Sequence, residues 1–213
     1  DYGYDLTVDN FGNIIIAGTT TGNFGENTNA GCYDEFNCSS DILIVKTNSN
    51  GEVLQLSQKG TIEEDELFSV TTDESNNIYV TGFTMGSFEN YINQGGLDII
   101  VSKLNSEGDF EWISQFGTND GDEAKDILIA NNNIYIAGCT LGSFENRINR
   151  GFFDMFVAKI NLNGFVNQIK QIGDAFEEIA YSFSTDNTGN MFITGTTSQS
   201  GLLDSVVLTI ETF

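Results

Sequence analysis

Four acidic residues occupy one position in four related segments of the sequence. Counting back from the glycine that ends each of four short apolar runs (Gly18, Gly82, Gly138 and Gly195) aligns Asp1, Asp65, Asp122 and Glu178. Carboxylate oxygens are the ligands that Ca²⁺ prefers in proteins. If the four side chains converge, with Glu66 and Glu123 beside two of them, they could bind Ca²⁺. Two other interpretations stand: each carboxylate caps the N–H groups of a neighbouring turn, or two of them work as a catalytic acid and base.

A second group of candidates lies in the segments that vary most between the four copies. These residues are Phe24, Phe88, Asn90, Tyr91, Phe144, Asn146 and Arg147. Loops carried on a rigid scaffold are the usual place for binding sites, so the group predicts a polar and aromatic rim for a protein or glycan partner. The alternative is that each phenylalanine anchors its own loop to the adjacent sheet.

The three cysteines bear on the compartment in which the protein works. Cys32 and Cys38 flank a short segment and could close a disulfide ring worth about 2 kcal/mol. A disulfide fits an oxidising compartment, and the sequence therefore predicts an extracellular or cell-surface location. The alternative is a pair of free thiols in a polar loop. Cys139 directly follows an apolar run and is predicted to be a packed small side chain.

Composition excludes several classes of function. The sequence has no histidine, so a Ser-His-Asp triad and a histidine metal site are both impossible, and neither a dinucleotide-binding glycine motif nor a P-loop occurs. With 31 acidic and 8 basic residues the net charge is −23, which repels nucleic acid and anionic lipid surfaces. No apolar run approaches the roughly 20 residues of a membrane helix. We therefore expect neither nucleic-acid binding nor a membrane span.

The elements that must position these residues belong to an internal repeat. The stretch 122–173 is one copy, and Asp41, Asp98 and Asp154 mark the same point in three copies. Each of these aspartates lies five residues before a lysine, ten before a glycine and seventeen before a glutamine (Gln58, Gln115 or Gln171). A repeat of this length that is built from short β runs indicates a radial or stacked array.

Each copy contains four strand patterns separated by turn residues. Asn, Asp and Gly fill the connection between the first and second patterns, as in a hairpin, and the third pattern is almost continuously apolar, as in 99–104. A strand covered on both faces is what a propeller blade requires. The sequence predicts an all-β protein, a single β-propeller domain or propeller segment of four-stranded antiparallel blades at about 1–60, 61–117, 118–173 and 174–213.

The fourth copy ends after its third strand pattern. Either the four blades close with a three-stranded last blade, or the chain is an arc that further sequence or another subunit completes. An uncovered strand edge invites pairing with another chain, so self-assembly through the incomplete fourth blade is a third hypothesis for the partner.

The repeat resembles a known family in its motifs. The pattern Asp-x-x-Gly-Asn, a short β run ending in Gly-x-Thr, then Gly-x-x-Asp and a β run ending in Lys is repeated, with some positions changed in each copy, along nearly the whole chain. It is similar to the bacterial β-propeller repeat (SBBP) family. The resemblance implies a multi-bladed propeller in a secreted or surface-attached bacterial protein, with no activity assigned to the repeat. Thr209 replaces the lysine in the fourth copy, a departure from the pattern.

Taken together, these features predict a non-catalytic interaction or structural module that binds a protein or glycan through its loops or strand edges. The competing hypothesis is a Ca²⁺-dependent carbohydrate-active enzyme that uses axial carboxylates. The enzyme hypothesis requires a pocket at the axis that contains a pair of carboxylates.

Overall fold

Residues with high β propensity alternate with turn residues along the chain, and in the computed structural model the described residues form fifteen strands. The structure describes residues 1–32, 38–145, 147–186, 190–199 and 202–210; for residue 199 and residues 202–210 it describes the backbone alone. Over these ranges the chain contains strands and turns without a helix, which agrees with the predicted all-β class. A membrane-spanning helix is accordingly not found in the described segments.

The strands form four antiparallel sheets, each in simple chain order. The first sheet contains β1 (Tyr2–Val8), β2 (Ile14–Thr20), β3 (Asp41–Thr47) and β4 (Val53–Lys59). The second contains β5 (Asp65–Thr72), β6 (Ile78–Thr84), β7 (Asp98–Leu104) and β8 (Phe110–Phe116). The third contains β9 (Asp122–Ala130), β10 (Asn133–Thr140), β11 (Asp154–Asn161) and β12 (Val166–Ile172). The fourth contains β13 (Glu177–Thr185), β14 (Met191–Gln199) and β15 (Leu202–Ile210).

Each sheet packs face to face on the next through an apolar core. Ile15 and Ile44 of the first sheet meet Val80 of the second, and Tyr79 of the second meets Ile136 of the third. The first strands β1, β5, β9 and β13 contact one another in succession, so the first strand of each sheet is the innermost. The architecture is a β-propeller of antiparallel blades, four of them in this chain.

In the first two sheets, the turn between the first and second strands is held by a side chain that accepts hydrogen bonds from backbone N–H groups. Asp9 Oδ1 accepts hydrogen bonds from the N–H groups of Phe11 (2.9 Å) and Asn13 (2.8 Å), and Asp73 repeats this arrangement in the second sheet. In the third sheet the same connection is made by Asn131 and Asn132 with positive φ. The Asn, Asp and Gly residues that predict hairpins from sequence therefore do so by Asx bonding or by left-handed backbone.

A β-bulge interrupts the first strand of every sheet at the same height. Opposite each bulge lies the glycine that ends the apolar run of the second strand. A Cβ on Gly82 would collide with the carbonyl oxygen of Glu66, and the same holds for Gly138 and Glu123. Glycine is required there because the bulged backbone approaches too closely for any side chain.

The four blades form an open arc. Among the described strands, the fourth sheet packs on the third, but it makes no comparable contact with the first. Leu6 and Val8 on the far side of the first sheet are 60% and 55% exposed. On the far side of the fourth sheet Thr194 is exposed. Two sheet faces of the interblade type are thus left uncovered.

Candidate functional site

The column of four carboxylates lies at the start of the first strands, where each side chain caps a turn. Asp65 accepts hydrogen bonds from the N–H and the hydroxyl of Thr61, the latter at 3.0 Å. Asp122 accepts the same two bonds from Thr118, with the hydroxyl at 2.9 Å. These bonds hold the connection between one blade and the next, and they are the turn-capping arrangement considered among the sequence hypotheses.

The two end members of the column follow the same scheme with different partners. Glu178 accepts a bond from the N–H of Asp174 (3.1 Å) and from the hydroxyl of Thr197 (3.1 Å). Asp1 accepts a bond from the hydroxyl of Thr20. Within the described residues no three acidic or cysteine side chains lie close enough to hold a metal ion. The structure therefore does not bring Asp1, Asp65, Asp122 and Glu178 together as the predicted Ca²⁺ site requires.

What the structure does bring together is a pair of carboxylates at each of the first two interfaces between blades. A Cβ on Gly117 would come within 3.0 Å of the carboxylates of both Asp98 in the second sheet and Asp122 in the third, and a Cβ on Gly60 would do the same with Asp41 and Asp65. Burial raises the pKa of Asp122 to about 6, with a further contribution from the charge of Asp98. Each pair combines an aspartate that opens a third strand with an aspartate that opens a first strand, two sets of residues that the sequence analysis treated separately.

Burial raises the pKa of Asp65 to about 6 as well, and the neighbouring Asp41 adds to that shift. Both side chains are fully buried. A buried carboxyl beside another carboxylate is the arrangement that keeps a proton near neutral pH. Because the pair recurs at successive interfaces and lies inside the packed blades, its chemistry is that of a shared structural contact.

The axial side of the first strands is occupied by aromatic rings and a cation. The ring of Tyr4 packs edge-on against Phe68 at 5.3 Å, and the Nζ of Lys125 lies 4.1 Å from the centroid of Phe68. Glu66 accepts a hydrogen bond from the Tyr4 hydroxyl, and Glu123 forms an ion pair with Lys125. The axial glutamates thus have partners of their own in this cluster.

A glutamine column anchors the loops between second and third strands. Gln115 Oε1 accepts the N–H of Phe88 at 2.9 Å, while its Nε2 donates to the carbonyl of Gly86 (2.9 Å) and to Asp98 Oδ2 (2.9 Å). Gln171 makes the equivalent three bonds in the third blade. The loop, the third strand and the fourth strand are therefore locked together by one amide side chain.

The phenylalanines of these loops are structural anchors. Phe88 is 4% exposed and belongs to the core between the first two blades, and Phe144 is 7% exposed in the next core. Phe24 is half-buried. The prediction that Phe88 and Phe144 form part of an exposed rim is therefore wrong, because each ring fills the gap between its loop and the neighbouring sheet.

The polar members of the predicted rim have a different fate. Asn90, Tyr91 and Arg147 are exposed, with Asn90 in the left-handed backbone region at φ 66°. Asn146 lies outside the described residues. Tyr91 and Asn90 border an open groove of about 580 Å³ between the first two blades, whose lining also includes Lys59 and Phe110.

Sequence reasoning missed the most exposed residues of the same loops. Successive strands run in opposite directions, so the loops after β2, β6 and β10 and the connections between blades all lie at one end of the propeller. Among the described residues of these loops and connections, six large side chains without any polar group are exposed, and we call them the loop face: Ile62, Met85, Ile92, Leu141, Ile148 and Phe152. Ile92 and Ile148, 77% and 73% exposed, occupy equivalent positions in the repeat. The motif Asn-x-Ile-Asn, which both loops share, was the signal available in the sequence.

The cysteines divide into a bonded pair and a buried thiol. Cys32 and Cys38 form a disulfide bond. Cys139 is a buried free cysteine, and burial raises the pKa of its thiol to about 12. A neutral, enclosed thiol is a packing group and a poor nucleophile.

Comparison with known proteins gives information about the fold of the chain and none about its function. No family model matches the chain, and no curated protein matches it. Among solved structures, the chain is similar to a protein of unknown function from Bacteroides caccae, with a TM-score of 0.51 and 10% sequence identity. The match covers 96% of this chain and 60% of that protein, so the chain spans less than two thirds of its length.

A second solved structure is an exo-1,5-alpha-L-arabinanase from a bovine ruminal metagenomic library. It matches with a TM-score of 0.43 and 12% identity, over 97% of this chain and 73% of that one. At this level of similarity the enzyme's activity does not transfer to the chain. The chain is a propeller of antiparallel β-blades.

Proposed function

We propose that this protein is a non-catalytic β-propeller module that binds a partner protein through its loop face. The observation that carries the proposal is the exposure of the six loop-face side chains among the described residues at this end of the blades. Exposed apolar patches mark interaction sites on soluble proteins. The anchoring of each loop by Gln115 or Gln171 gives the surface a fixed shape, which reduces the entropy lost on binding.

The absence of catalysis is part of the proposal. In a chain without histidine, carboxylates are the first candidates for a catalytic acid and base. Here they cap turns or pair with Lys125 and Tyr4. A group that performs the same contact in each blade serves the scaffold. The alternative, a Ca²⁺-dependent carbohydrate-active enzyme, would need a distinctive pair of carboxylates in an accessible axial pocket.

We also infer that the module works in a secreted or cell-surface bacterial protein of the SBBP type. The Cys32–Cys38 disulfide supports this, because such bonds persist in oxidising compartments. The repeat motifs support it independently.

The test compares proteins captured by two matched variants. Ile92→Asp with Ile148→Asp places charges on the loop face, whereas Phe11→Asp with Phe165→Asp alters two side chains of similar exposure (78% and 69%) in turns at the opposite end. Each immobilised variant would be incubated with surface extract from the producing cells, cross-linked and analysed by quantitative mass spectrometry. We expect the loop-face variant alone to lose the partner, and the wild-type cross-links to map to 85–97 and 141–153. Equal capture by both variants would refute the proposal.

A glycan is the second candidate partner, favoured by the groove beside the loop face. Tyr91 and Asn90 offer an aromatic ring and an amide to a groove that also contains carboxylates of Glu89 and Glu111. Aromatic and amide groups together are suited to binding sugars. Binding to a glycan array that is abolished by Tyr91→Ala, and unaffected by Ile148→Asp, would favour this candidate over a protein.

A further inference from the structure

Each sheet has two faces: a backward face toward the preceding sheet in the chain and a forward face toward the following sheet. At every internal interface, the forward face of one sheet packs on the backward face of the next, so the first sheet and the fourth sheet leave opposite faces exposed. In the part of the chain that the structure describes, nothing covers the backward face of the first sheet, which is formed by Leu6, Val8, Ile14, Ile16 and Val45; we call it the first-sheet face. The fourth sheet has its forward face free and carries Phe192 and Thr194 on it.

Equivalent positions show that both free faces belong to the interblade type. Leu6 is 60% exposed, whereas the residues at its position in the other three sheets, Val70, Ile127 and Phe183, are 4–6% exposed. The difference comes entirely from the missing neighbour, because the strand register is the same in all four sheets. An aliphatic face of this kind is normally covered.

The forward face of the fourth sheet shows the complementary difference. Thr194 is exposed, while Thr81 and Ala137 at the same position are completely buried. Phe192 is half-buried, whereas the equivalent Tyr79 and Tyr135 are buried. The fourth sheet therefore lacks a following sheet in the same way that the first lacks a preceding one.

A chain of hydrogen bonds along the axis indicates which sheet fits next. The residues after the bulge alternate around the arc as Asp5, Ser69, Asp126 and Ser182. Ser69 Oγ lies 2.8 Å from Asp5 Oδ2 and 2.9 Å from Asp126 Oδ1, so it links the sheets on either side of its own. Ser182 donates to Asp126 Oδ2 at 2.8 Å.

If the alternation continues, the sheet that follows Ser182 carries an aspartate. The first sheet meets this requirement, because Asp5 Oδ1 is equivalent to Asp126 Oδ1, the oxygen that faces Ser69 of the preceding sheet. Among the described residues, Asp5 has no partner from a preceding sheet; its Oδ1 accepts only the N–H of Leu6 (2.8 Å). Among the described strands, the first sheet of the same molecule makes no contact with the fourth comparable to those between successive sheets, so it does not supply the matching aspartate.

We propose that two copies of this chain associate head to tail, with the fourth sheet of each packing on the first-sheet face of the other. The contact continues the three interfaces within the chain and extends the alternation of aspartate and serine without a break. Two copies supply eight blades, which is within the usual range of about four to eight for propellers. A head-to-tail contact repeated twice closes a ring. This proposal is independent of the loop face.

The test uses one charged substitution on each free face. Leu6→Asp changes the first-sheet face, and Thr194→Arg changes the forward face of the fourth sheet; both side chains are exposed in the single chain. Ile92→Asp on the loop face is the matched control. Mass would be measured by light scattering and by sedimentation over a range of concentrations.

We expect wild type and the Ile92→Asp control to have twice the 23.3 kDa mass of one chain. Leu6→Asp and Thr194→Arg should each raise the dissociation constant by at least about tenfold, because an unpaired charge is placed in an apolar contact. An equimolar mixture of the two variants should regain the two-chain mass. In the mixed pair one contact is native, and the other opposes an introduced aspartate to an introduced arginine.

Three results would overturn the proposal. Wild-type protein that stays at the single-chain mass at all concentrations has no such contact. Loss of association in Leu6→Asp but not in Thr194→Arg would mean that two first sheets pack on each other. A mass that is unaffected by either substitution would place the interface elsewhere. Recovery in the mixture also shows that both variants are folded, so loss of association alone cannot be mistaken for misfolding.

Discussion

Asp98 and Asp122 approach the same point at the interface between the second and third blades, where a side chain on Gly117 would collide with both carboxylates. One aspartate opens the third strand of its sheet and the other opens the first strand of the next sheet. The glycine that connects the two blades is small because two carboxyl groups occupy the space where its side chain would be.

This close approach predicts a large cost for a single methyl group. In Gly117→Ala the new Cβ would lie 2.6 Å from Asp98 Oδ1 and 2.8 Å from Asp122 Oδ2. We expect the free energy of unfolding in urea to fall by about 1–3 kcal/mol. Gly22→Ala is the control, since its Cβ would meet nothing closer than 3.7 Å. Equal stability of the two variants would contradict the packing described for Gly117.

The buried carboxyl groups predict that the protein gains stability on mild acidification. The pKa values of Asp65 and Asp122 are raised to about 6 by burial, above their value in the unfolded chain, so the folded state binds the protons more tightly. Stability should therefore rise as the pH falls from 7 towards 4, by up to roughly 3 kcal/mol for each group. Above pH 7 the full penalty of the buried charges remains.

The measurement is the free energy of unfolding in urea at pH 7, 6, 5 and 4. The double substitution Asp65→Asn and Asp122→Asn removes the two groups while retaining a side-chain oxygen for each turn. Its stability should depend less steeply on pH than that of the wild type. An unchanged slope would show that the dependence arises from the other acidic residues.

Gln115 predicts a link between loop order and blade stability. Gln115→Leu removes three hydrogen bonds at once and leaves the N–H of Phe88, the carbonyl of Gly86 and one oxygen of Asp98 without that partner. We expect a loss of about 3 kcal/mol in unfolding free energy and faster hydrogen exchange over 85–97. Gln55→Leu should change neither quantity appreciably, because Gln55 is half-buried and donates a single bond, to the carbonyl of Leu56 (3.3 Å).

The disulfide predicts a smaller and local effect. Replacing Cys32 and Cys38 with serine opens a ring whose ends are separated by six positions. The chain-entropy model gives a loss of about 2 kcal/mol, and a reducing agent should lower wild-type stability to that of the variant. A reducing agent that has no effect on the wild type would be inconsistent with a contribution from this bond.

The repeat and its turn chemistry made much of the fold predictable from sequence. Strands such as Ile78–Thr84 follow from local β propensity, and turns such as the one at Asp73 follow from a side chain that bonds its own neighbouring backbone. Both are decided within a few residues of the chain. The length of the repeat then implied sheets covered on both sides, and hence a propeller.

Contacts between blades could not be predicted in the same way. The sequence places Asp98 and Asp122 in two separate columns, and only the packing of one sheet on the next brings their carboxyl groups together. It likewise shows Phe88 in a polar loop, without showing that the neighbouring sheet encloses the ring. Side-chain burial depends on what lies across an interface, which periodicity along one chain does not record.

The sequence by itself thus determined the strands, the turns and the blade repeat, because each is specified by neighbouring residues. The tertiary structure decided which carboxylates pair, which aromatic rings are buried and which sheet faces stay free. Leu6 illustrates the reason: its position in the repeat is the same as that of Val70, and it is exposed only because no sheet packs against it.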